Sequence, residues 1–226
     1  MRLAACALLL LGGVAAADEH QGPGTWPDTF VGRLEALAVL ETLNADLLSH
    51  DSATLTLEHW CYEHRLAAPA RVVAAQVSAE KAATSEQRRE LNVADTEPVR
   101  YRRVRLSCGA AVLSEADNWY VPSRLSAEMN QQLESSDTPF GKVVQALHFR
   151  RHTLAADLLW HPLPVGWEMD KESLAKAPSG KAPLVIPYEI LQQRAVLLLG
   201  DGTPISEVVE TYTSALLRFS RQSSPN

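Results

Sequence analysis

The chain has 226 residues, a formal net charge of −6 at pH 7 and a mean hydropathy of −0.11. This length is enough for one domain with a full core, and the composition is that of a soluble globular protein. An acidic chain with no long basic block is poorly suited to nucleic acid, so we expect no nucleic-acid partner.

The first 17 residues have the layout of a cleaved export signal. A positive Arg2 precedes an apolar run from Leu3 to Val14, and small residues stand at Ala15 and Ala17 just before Asp18. The run is too short for a comfortable transmembrane helix. We therefore expect a periplasmic or secreted protein that is not stably inserted in a membrane once residues 1–17 are removed.

Export changes the interpretation of the cysteines. Cys6 leaves with the signal, which leaves Cys61 and Cys108 in the mature chain. Two cysteines in an oxidising compartment can form one disulfide. They can equally be two separate buried thiols, because free cysteine packs as a small hydrophobe. The sequence leaves both arrangements open.

The elements after the signal alternate between helix and strand. We expect a flexible lead-in at 18–28, one domain at 29–218 and a disordered tail at 219–226. Apolar spacing, capping residues and turn residues predict the following elements: helices at 28–50, 52–64, 84–92, 123–135 and 138–149, and strands at 70–80, 97–109, 110–122, 149–161, 189–200 and 205–219. Hairpin-connected strands with interspersed helices favour an α+β fold, an antiparallel β-sheet with helices packed on it.

The usual motifs of metal and cofactor chemistry are missing from the sequence. The seven histidines are scattered, and neither an HExxH nor a CxxC motif occurs. In "HWCYEH", His59 and His64 are five residues apart and do not share a helix face. The sequence also lacks a GxSxG nucleophile turn and a glycine-rich phosphate loop. We expect no metal and no cofactor.

Four arginines stand in the predicted strand "VRYRRVRLSCG", residues 99–109. Strand alternation sends the side chains to two faces, Tyr101, Arg103 and Arg105 to one and Arg102, Val104 and Leu106 to the other. Val104 and Leu106 suit a core. The face of Arg103 then points away from that core, or into a cavity between sheet and helices.

A second polar signal lies in the last strand, where Glu207 and Glu210 flank two valines in "SEVVETYT". A glutamate inside an apolar strand is costly unless it is paired. An arginine and a glutamate at two ends of a pocket would suit a ligand with a carboxylate and a hydroxyl. A surface salt bridge is the alternative.

Four segments occur in an order that is typical of a known family. They are "LLSHDSATLTLEHW", "EPVRYRRVRLSCG" followed by "NWYVP", "SSDTPFGKVV" and "GDGTPISEVVETYT", and they lie within a stretch of likeness that covers roughly residues 35–217. In these segments the chain resembles the chorismate lyase (chorismate pyruvate-lyase) family. It more distantly resembles the UTRA-like effector-binding domain of some bacterial transcription regulators, which shares that fold. The resemblance implies a chorismate lyase-like domain.

The resemblance also implies an activity and a set of site residues. The family cleaves chorismate to 4-hydroxybenzoate and pyruvate without metal or cofactor. By the same likeness Arg103 would hold a substrate carboxylate, and Glu210 would face the hydroxyl end. Phe140 would cover the ligand and Gly141 would supply a backbone N–H. Ala53 stands where the family has a methionine.

Three functions remain open at this point. The first is an exported chorismate lyase-like enzyme that cleaves chorismate, and the second is a periplasmic binding protein for a small aromatic carboxylate with the same fold and no turnover. In the third, Arg103 and Glu210 form a buried ion pair that ties two strands together. We expect a monomer, with Arg100 and Arg102 at a solvated sheet edge and the role of Arg105 undecided.

Overall fold

Six strands form one sheet at the centre of the molecule. The computed structural model describes residues 25–169, 180 and 182–219. The expected signal at 1–17, most of the lead-in and nearly all of the tail lie outside the described residues. All neighbouring strands pair antiparallel, in the order β1-β2-β3-β6-β5-β4. The expected α+β class, with helices packed on an antiparallel sheet, is confirmed.

The elements follow the sequence pattern closely. The strands are β1 Val72–Val77, β2 Arg100–Cys108, β3 Ala111–Tyr120, β4 Arg150–Leu158, β5 Glu189–Leu198 and β6 Pro204–Thr213. The helices are α1 Phe30–Ser49, α2 Ala53–Glu63, α3 Ser85–Glu90, α4 Ala127–Ser135 and α5 Phe140–Val143. Side chains of Thr29, Ser52, Thr84 and Ser126 cap the first four helices by accepting a backbone N–H of the first turn.

The two faces of the sheet have different neighbours. We call the face that packs on α1 and α2 the inner face; it carries Val104 and Leu106 of β2, which join the buried side chains of α1 in the main core. The opposite, outer face is covered in part by α3 and the residues around it, where Leu91 packs with Trp119 and Val121. Side-chain alternation along β2 and β3 therefore decides which residues enter the main core.

A disulfide joins α2 to the inner face of the sheet. Cys61 of α2 and Cys108 of β2 are bonded, their Cα atoms are 6.5 Å apart, and neither residue is exposed. Of the two arrangements that the sequence left open, the structure therefore has the disulfide. It holds α2 close to β2, and the first turn of the same helix lines the cavity described below. No helix in the described part of the chain has the length and apolar character needed to cross a membrane.

Candidate functional site

A cavity that opens to solvent lies between the inner face of the sheet and the first turns of α2 and α5, and its empty space, counted out into the solvent at its mouth, is about 490 Å³. Its floor comes from β2, β3, β6, β5 and β4, and its roof from Ser52–Thr54, Phe140 and Gly141. Apolar side chains such as Val104, Phe149 and Leu197 contribute most of the remaining wall. The few charged groups among them are therefore the features that could select a ligand.

Arg102 is the most unusual of these charged groups. Arg102 is only 6% exposed, yet no carboxylate of a described residue lies within 4.0 Å of its guanidinium. One terminal nitrogen donates to the carbonyl oxygen of Thr138 at 3.2 Å, and the buried Nε has no partner. Burial lowers the pKa of Arg102, with Tyr120 acting in the opposite direction. Arg102 is thus a buried cation with spare hydrogen-bonding capacity.

A second buried arginine, Arg151 of β4, is neutralised within the protein. Its NH2 group donates to Glu210 Oε2 at 2.6 Å and to Gln193 Oε1 at 3.4 Å. Burial works to lower the pKa of Arg151, and the adjacent Glu210 carboxylate outweighs it, so the pKa lies above its ordinary value. This ion pair crosses over β5, because β4 and β6 are not neighbours in the sheet.

Glu210 keeps one oxygen for the cavity. Its Oε2 accepts from Arg151 and also from the hydroxyl of Tyr212 at 3.2 Å. Burial, reinforced by Glu210, raises the pKa of that tyrosine well above its ordinary value, so Tyr212 acts as a hydrogen-bond donor. Glu210 Oε1 makes no hydrogen bond to any described residue, and Glu210 lines the cavity. A hydroxyl of a ligand could donate to this oxygen.

Asn118 brings an amide next to Arg102. The two residues are directly paired across β2 and β3, and both line the cavity. The amide oxygen of Asn118 accepts from the buried hydroxyl of Ser206, which fixes the orientation of the side chain. Arg102 and Asn118 together offer donors at one end of the cavity, while Arg151 and Glu210 occupy the other.

The roof depends on close approach between two helix starts. A Cβ at Gly141 would come within 3.0 Å of Ser52 Oγ and 3.4 Å of Thr54 Oγ1, so the absence of a side chain lets α5 approach α2. Ser52 caps α2, and the N–H groups of Ala53 and Thr54 make no hydrogen bond within the part of the chain described. These two amides begin an 11-residue helix at the cavity, which favours negative charge there.

The structure corrects the role predicted for Arg103. This side chain lies on the outer face, is 39% exposed, and pairs with Glu115 at 3.1 Å and Asp117 at 3.7 Å. Its neighbour Arg102, expected at a solvated edge, is the arginine that lines the cavity. The reason is strand alternation, because the cavity opens on the same face as Val104 and Leu106. The resemblance selected the right strand and the adjacent residue.

Four other predicted site residues do lie around one cavity. Glu210, Phe140, Gly141 and Ala53 all line it, although they come from three widely separated parts of the sequence. The proposed ion pair of Arg103 with Glu210 does not form, since Glu210 pairs with Arg151.

The remaining arginines of β2 and the second glutamate lie elsewhere. Arg105 is on the outer face with Glu115 at 3.2 Å, and Arg100 pairs with Glu134. Glu207 is fully buried on the outer side of β6, where Arg194 pairs with it at 2.8 Å.

Sequence reasoning missed three of the polar residues at the cavity, Arg102, Asn118 and Arg151. The sequence did contain a signal for Arg102, because strand alternation already placed it on the same face as Val104 and Leu106. Asn118 could have been inferred from its place opposite Arg102 in the predicted hairpin. Arg151 had no such signal, because its partner Glu210 is 59 residues away and two strands across the sheet. Within residues 25–169, 180 and 182–219, no group of three or more His, Cys, Asp or Glu side chains could hold a metal ion.

Comparison with known proteins places the chain in a family. It is 52% identical over 205 residues to the Sinorhizobium fredii (strain NBRC 101917 / NGR234) protein named "Uncharacterized protein y4mC", and the match covers 90% of this chain and 85% of that protein. The chain belongs to the y4mC family. No general protein-family model matches the sequence. Membership of the chorismate lyase family stays a prediction.

Solved structures with a related arrangement are more distant than this y4mC relative. The effector domain of PhnF from Mycobacterium smegmatis has a TM-score of 0.45 and 14% identity, and the match covers 72% of this chain and 88% of that domain. A possible transcriptional regulator YydK from Bacillus subtilis has a TM-score of 0.39 and 17% identity, with 68% of this chain and 62% of that chain covered, which is less than two thirds of its length. At this level of similarity these structures do not bear on ligand or activity.

Proposed function

We propose that the cavity binds a small organic anion, and that an aromatic carboxylate is the ligand class that suits its walls. The observation that carries this proposal is Arg102, a buried guanidinium that lines the cavity with no carboxylate partner among the described residues. A buried charge without a counter-charge costs several kcal/mol. A bound anion would remove that cost and satisfy the free Nε.

The surroundings of Arg102 support a carboxylate in particular. A guanidinium binds a carboxylate through two parallel hydrogen bonds, and the amide of Asn118 stands directly beside it. The free N–H groups at the start of α2 add positive potential to the cavity. Phe140 and Phe149 supply aromatic walls for a ring.

The other end of the cavity suits a hydroxyl group. Glu210 lies on β6 and Arg102 on β2, with β3 between them and an offset of two residues along the strands, so their backbones are about 12 Å apart. In this proposal the ligand's carboxylate binds Arg102 and its hydroxyl donates to Glu210 Oε1. 4-Hydroxybenzoate has this pattern and serves as the first probe.

Cleavage of chorismate is the second candidate, and the free oxygen of the buried Glu210 is the observation that favours it. In that reaction a ring carbon loses a proton, the bond between the ring and the enolpyruvyl oxygen breaks, and the ring becomes aromatic. The released enolpyruvate takes up a proton and leaves as pyruvate. Glu210 would accept or relay the proton, while Arg102 would hold the carboxylate and the apolar walls would exclude water.

One experiment tests both candidates. The purified protein is mixed with chorismate, and 4-hydroxybenzoate and pyruvate are followed by chromatography, with Arg102→Met, Glu210→Gln and the matched control Arg103→Ala alongside. Thermal unfolding with and without 4-hydroxybenzoate is measured on the same samples.

The outcomes separate enzyme from binding protein. Equimolar products that disappear in Arg102→Met and persist in Arg103→Ala would support the lyase. Stabilisation by 4-hydroxybenzoate without product above the spontaneous background would leave the binding function alone. Neither product nor stabilisation would contradict an aromatic carboxylate as the ligand.

We also propose that the protein is exported. The layout of residues 1–17 and the Cys61–Cys108 disulfide support this, because disulfides persist in oxidising compartments. Fusion of residues 1–30 to alkaline phosphatase, an enzyme that is active only after export, tests it. An inactive fusion that is expressed in full would contradict export.

A further inference from the structure

A second compartment, which we call the side chamber, adjoins Arg102. It lies between residues 79–82 and the end of α4 at Leu133–Glu134, and it is a groove that opens widely to solvent. Arg102 lines both compartments. Arg102 is therefore a wall residue that the two spaces share.

The side chamber follows from the unequal lengths of β1 and β2. β1 ends at Val77, opposite Arg103, so β2 from Arg100 to Arg102 has no strand partner on that side. The chain then leaves the sheet through residues 79–82 on its way to α3. A gap beside Arg102 is thus set by the strand pairing, with α4 as its other wall.

An aromatic contact connects the walls of the two compartments. Tyr120 lines the side chamber, and its ring packs against Phe140 of the cavity roof with the ring centroids 5.8 Å apart. The Tyr120–Phe140 contact thus joins a wall of the side chamber to the cavity roof, and Arg102 lines both spaces. An anion bound to the guanidinium would have a compartment on each side.

The walls of the side chamber combine polar and apolar groups, and they offer a hydrogen-bond acceptor. Gln76 Nε2 donates to the carbonyl oxygens of Leu133 at 3.1 Å and Glu134 at 3.3 Å, which fixes the orientation of the amide. The oxygen of the same amide makes no hydrogen bond within the described ranges. The ion pair of Arg100 and Glu134, both about half exposed, forms part of the rim.

We propose that the side chamber is a second subsite of the same binding site. The ligand is then a carboxylate whose adjacent carbon carries two arms, an aromatic arm in the cavity and an amide-bearing arm in the side chamber. An N-acylated aromatic amino acid has this chemistry, and its amide N–H would donate to Gln76 Oε1. This inference rests on the proposed anion binding at Arg102.

Two matched ligands and two matched variants test the second subsite. Isothermal titration compares N-acetyl-L-tyrosine with 3-(4-hydroxyphenyl)propionate, which lacks only the acylamino arm. Ala79→Trp and, separately, Ala82→Trp fill the side chamber from exposed positions. Ala75→Trp is the control, because Ala75 is also exposed and lines neither compartment.

We expect the two-armed acid to bind the unaltered protein about tenfold more tightly than the short acid. Either chamber-filling variant should remove this advantage and leave the Kd of the short acid within about twofold, while the control keeps both values. Equal or weaker binding of the two-armed acid, or an equal loss for both acids in Ala79→Trp and Ala82→Trp, would overturn the second subsite alone. Absence of binding by the short acid and by 4-hydroxybenzoate alike would overturn the proposed function and this inference together.

Discussion

Arg102 and Arg103 are adjacent in sequence and occupy opposite electrostatic environments. Arg102 is buried on the inner face without a carboxylate among the described residues, whereas Arg103 is 39% exposed on the outer face between Glu115 and Asp117. Both belong to the same run of positive charge in the sequence. A buried arginine without a carboxylate partner therefore marks a candidate ligand site, whereas arginines with carboxylate partners mark a sheet surface, however dense the local charge is.

The outer face shows how the protein satisfies charge when no ligand is needed. Glu115 accepts from Arg103, Arg105 and Tyr188, and Asp117 accepts from Tyr101 at 2.6 Å. Burial, together with the hydrogen bond to Asp117, raises the pKa of Tyr101 to about 12. Every arginine of this network has a carboxylate partner within the protein. Arg102 has no such partner among the described residues, and substitutions can test this difference.

The largest effect is expected when the buried ion pair of Arg151 loses its carboxylate. Glu210→Gln should reduce the free energy of unfolding by about 3 kcal/mol, because Arg151 then becomes a second buried cation without a counter-charge. Chemical denaturation measures the change. The double variant Arg151→Met with Glu210→Gln should recover part of the loss, and no recovery would show that the two side chains do not act as a pair.

Arg102→Met should separate binding from stability. Binding of 4-hydroxybenzoate should weaken about a hundredfold, because charge-assisted hydrogen bonds to the carboxylate are lost. The free energy of unfolding without ligand should stay the same or rise, since an unpaired buried charge is removed. Titration calorimetry and denaturation give the two values. A large loss of stability together with unchanged binding would reverse our assignment of Arg102.

Arg103→Ala is the matched substitution on the outer face. It should change the free energy of unfolding by about 1 kcal/mol or less, as is usual for ion pairs near the surface. Binding of 4-hydroxybenzoate should stay within about twofold of the unaltered protein. The same titration and denaturation experiments measure both values. A loss of binding as great as in Arg102→Met would indicate that the ligand binds on the outer face.

The smallest effect is the pH dependence of the outer network. Burial tends to raise the pKa of Glu115, but hydrogen bonds from Arg103, Tyr188 and Arg105 outweigh it and hold the pKa below its ordinary value of 4.5. A lowered folded-state pKa contributes stability that is complete above 4.5 and is lost as the pH falls through the folded value.

The comparison of unaltered protein with Glu115→Gln isolates this contribution. The unaltered protein should be the more stable of the two at pH 7, and the difference should narrow as the pH is lowered below 4.5. Denaturant unfolding across this range gives the difference directly. A difference that is constant with pH would mean that the carboxylate of Glu115 gains nothing from its arginines.

Much of the fold could be predicted from local sequence. The first two helices and the hairpin of β2 and β3 all depend on residues close in the chain, and each lies inside its predicted range, 28–50, 52–64 and 97–122. Alternation also divided Arg102 from Arg103 correctly. It could not say which of the two faces would border a cavity, because that depends on where α2 and α5 pack.

Local sequence patterns were enough to predict the antiparallel α+β class, the strand that carries the arginines and the last strand with its two glutamates, Glu207 and Glu210. These follow from spacing, capping and the cost of a glutamate in an apolar strand, all of which act over a few residues. Three features became visible in the tertiary structure alone: Arg102 has no carboxylate partner among the described residues, Arg151 reaches Glu210 across β5, and β1 ends early enough to leave the side chamber. Each of these depends on strand order and helix packing between distant segments, which no local pattern encodes.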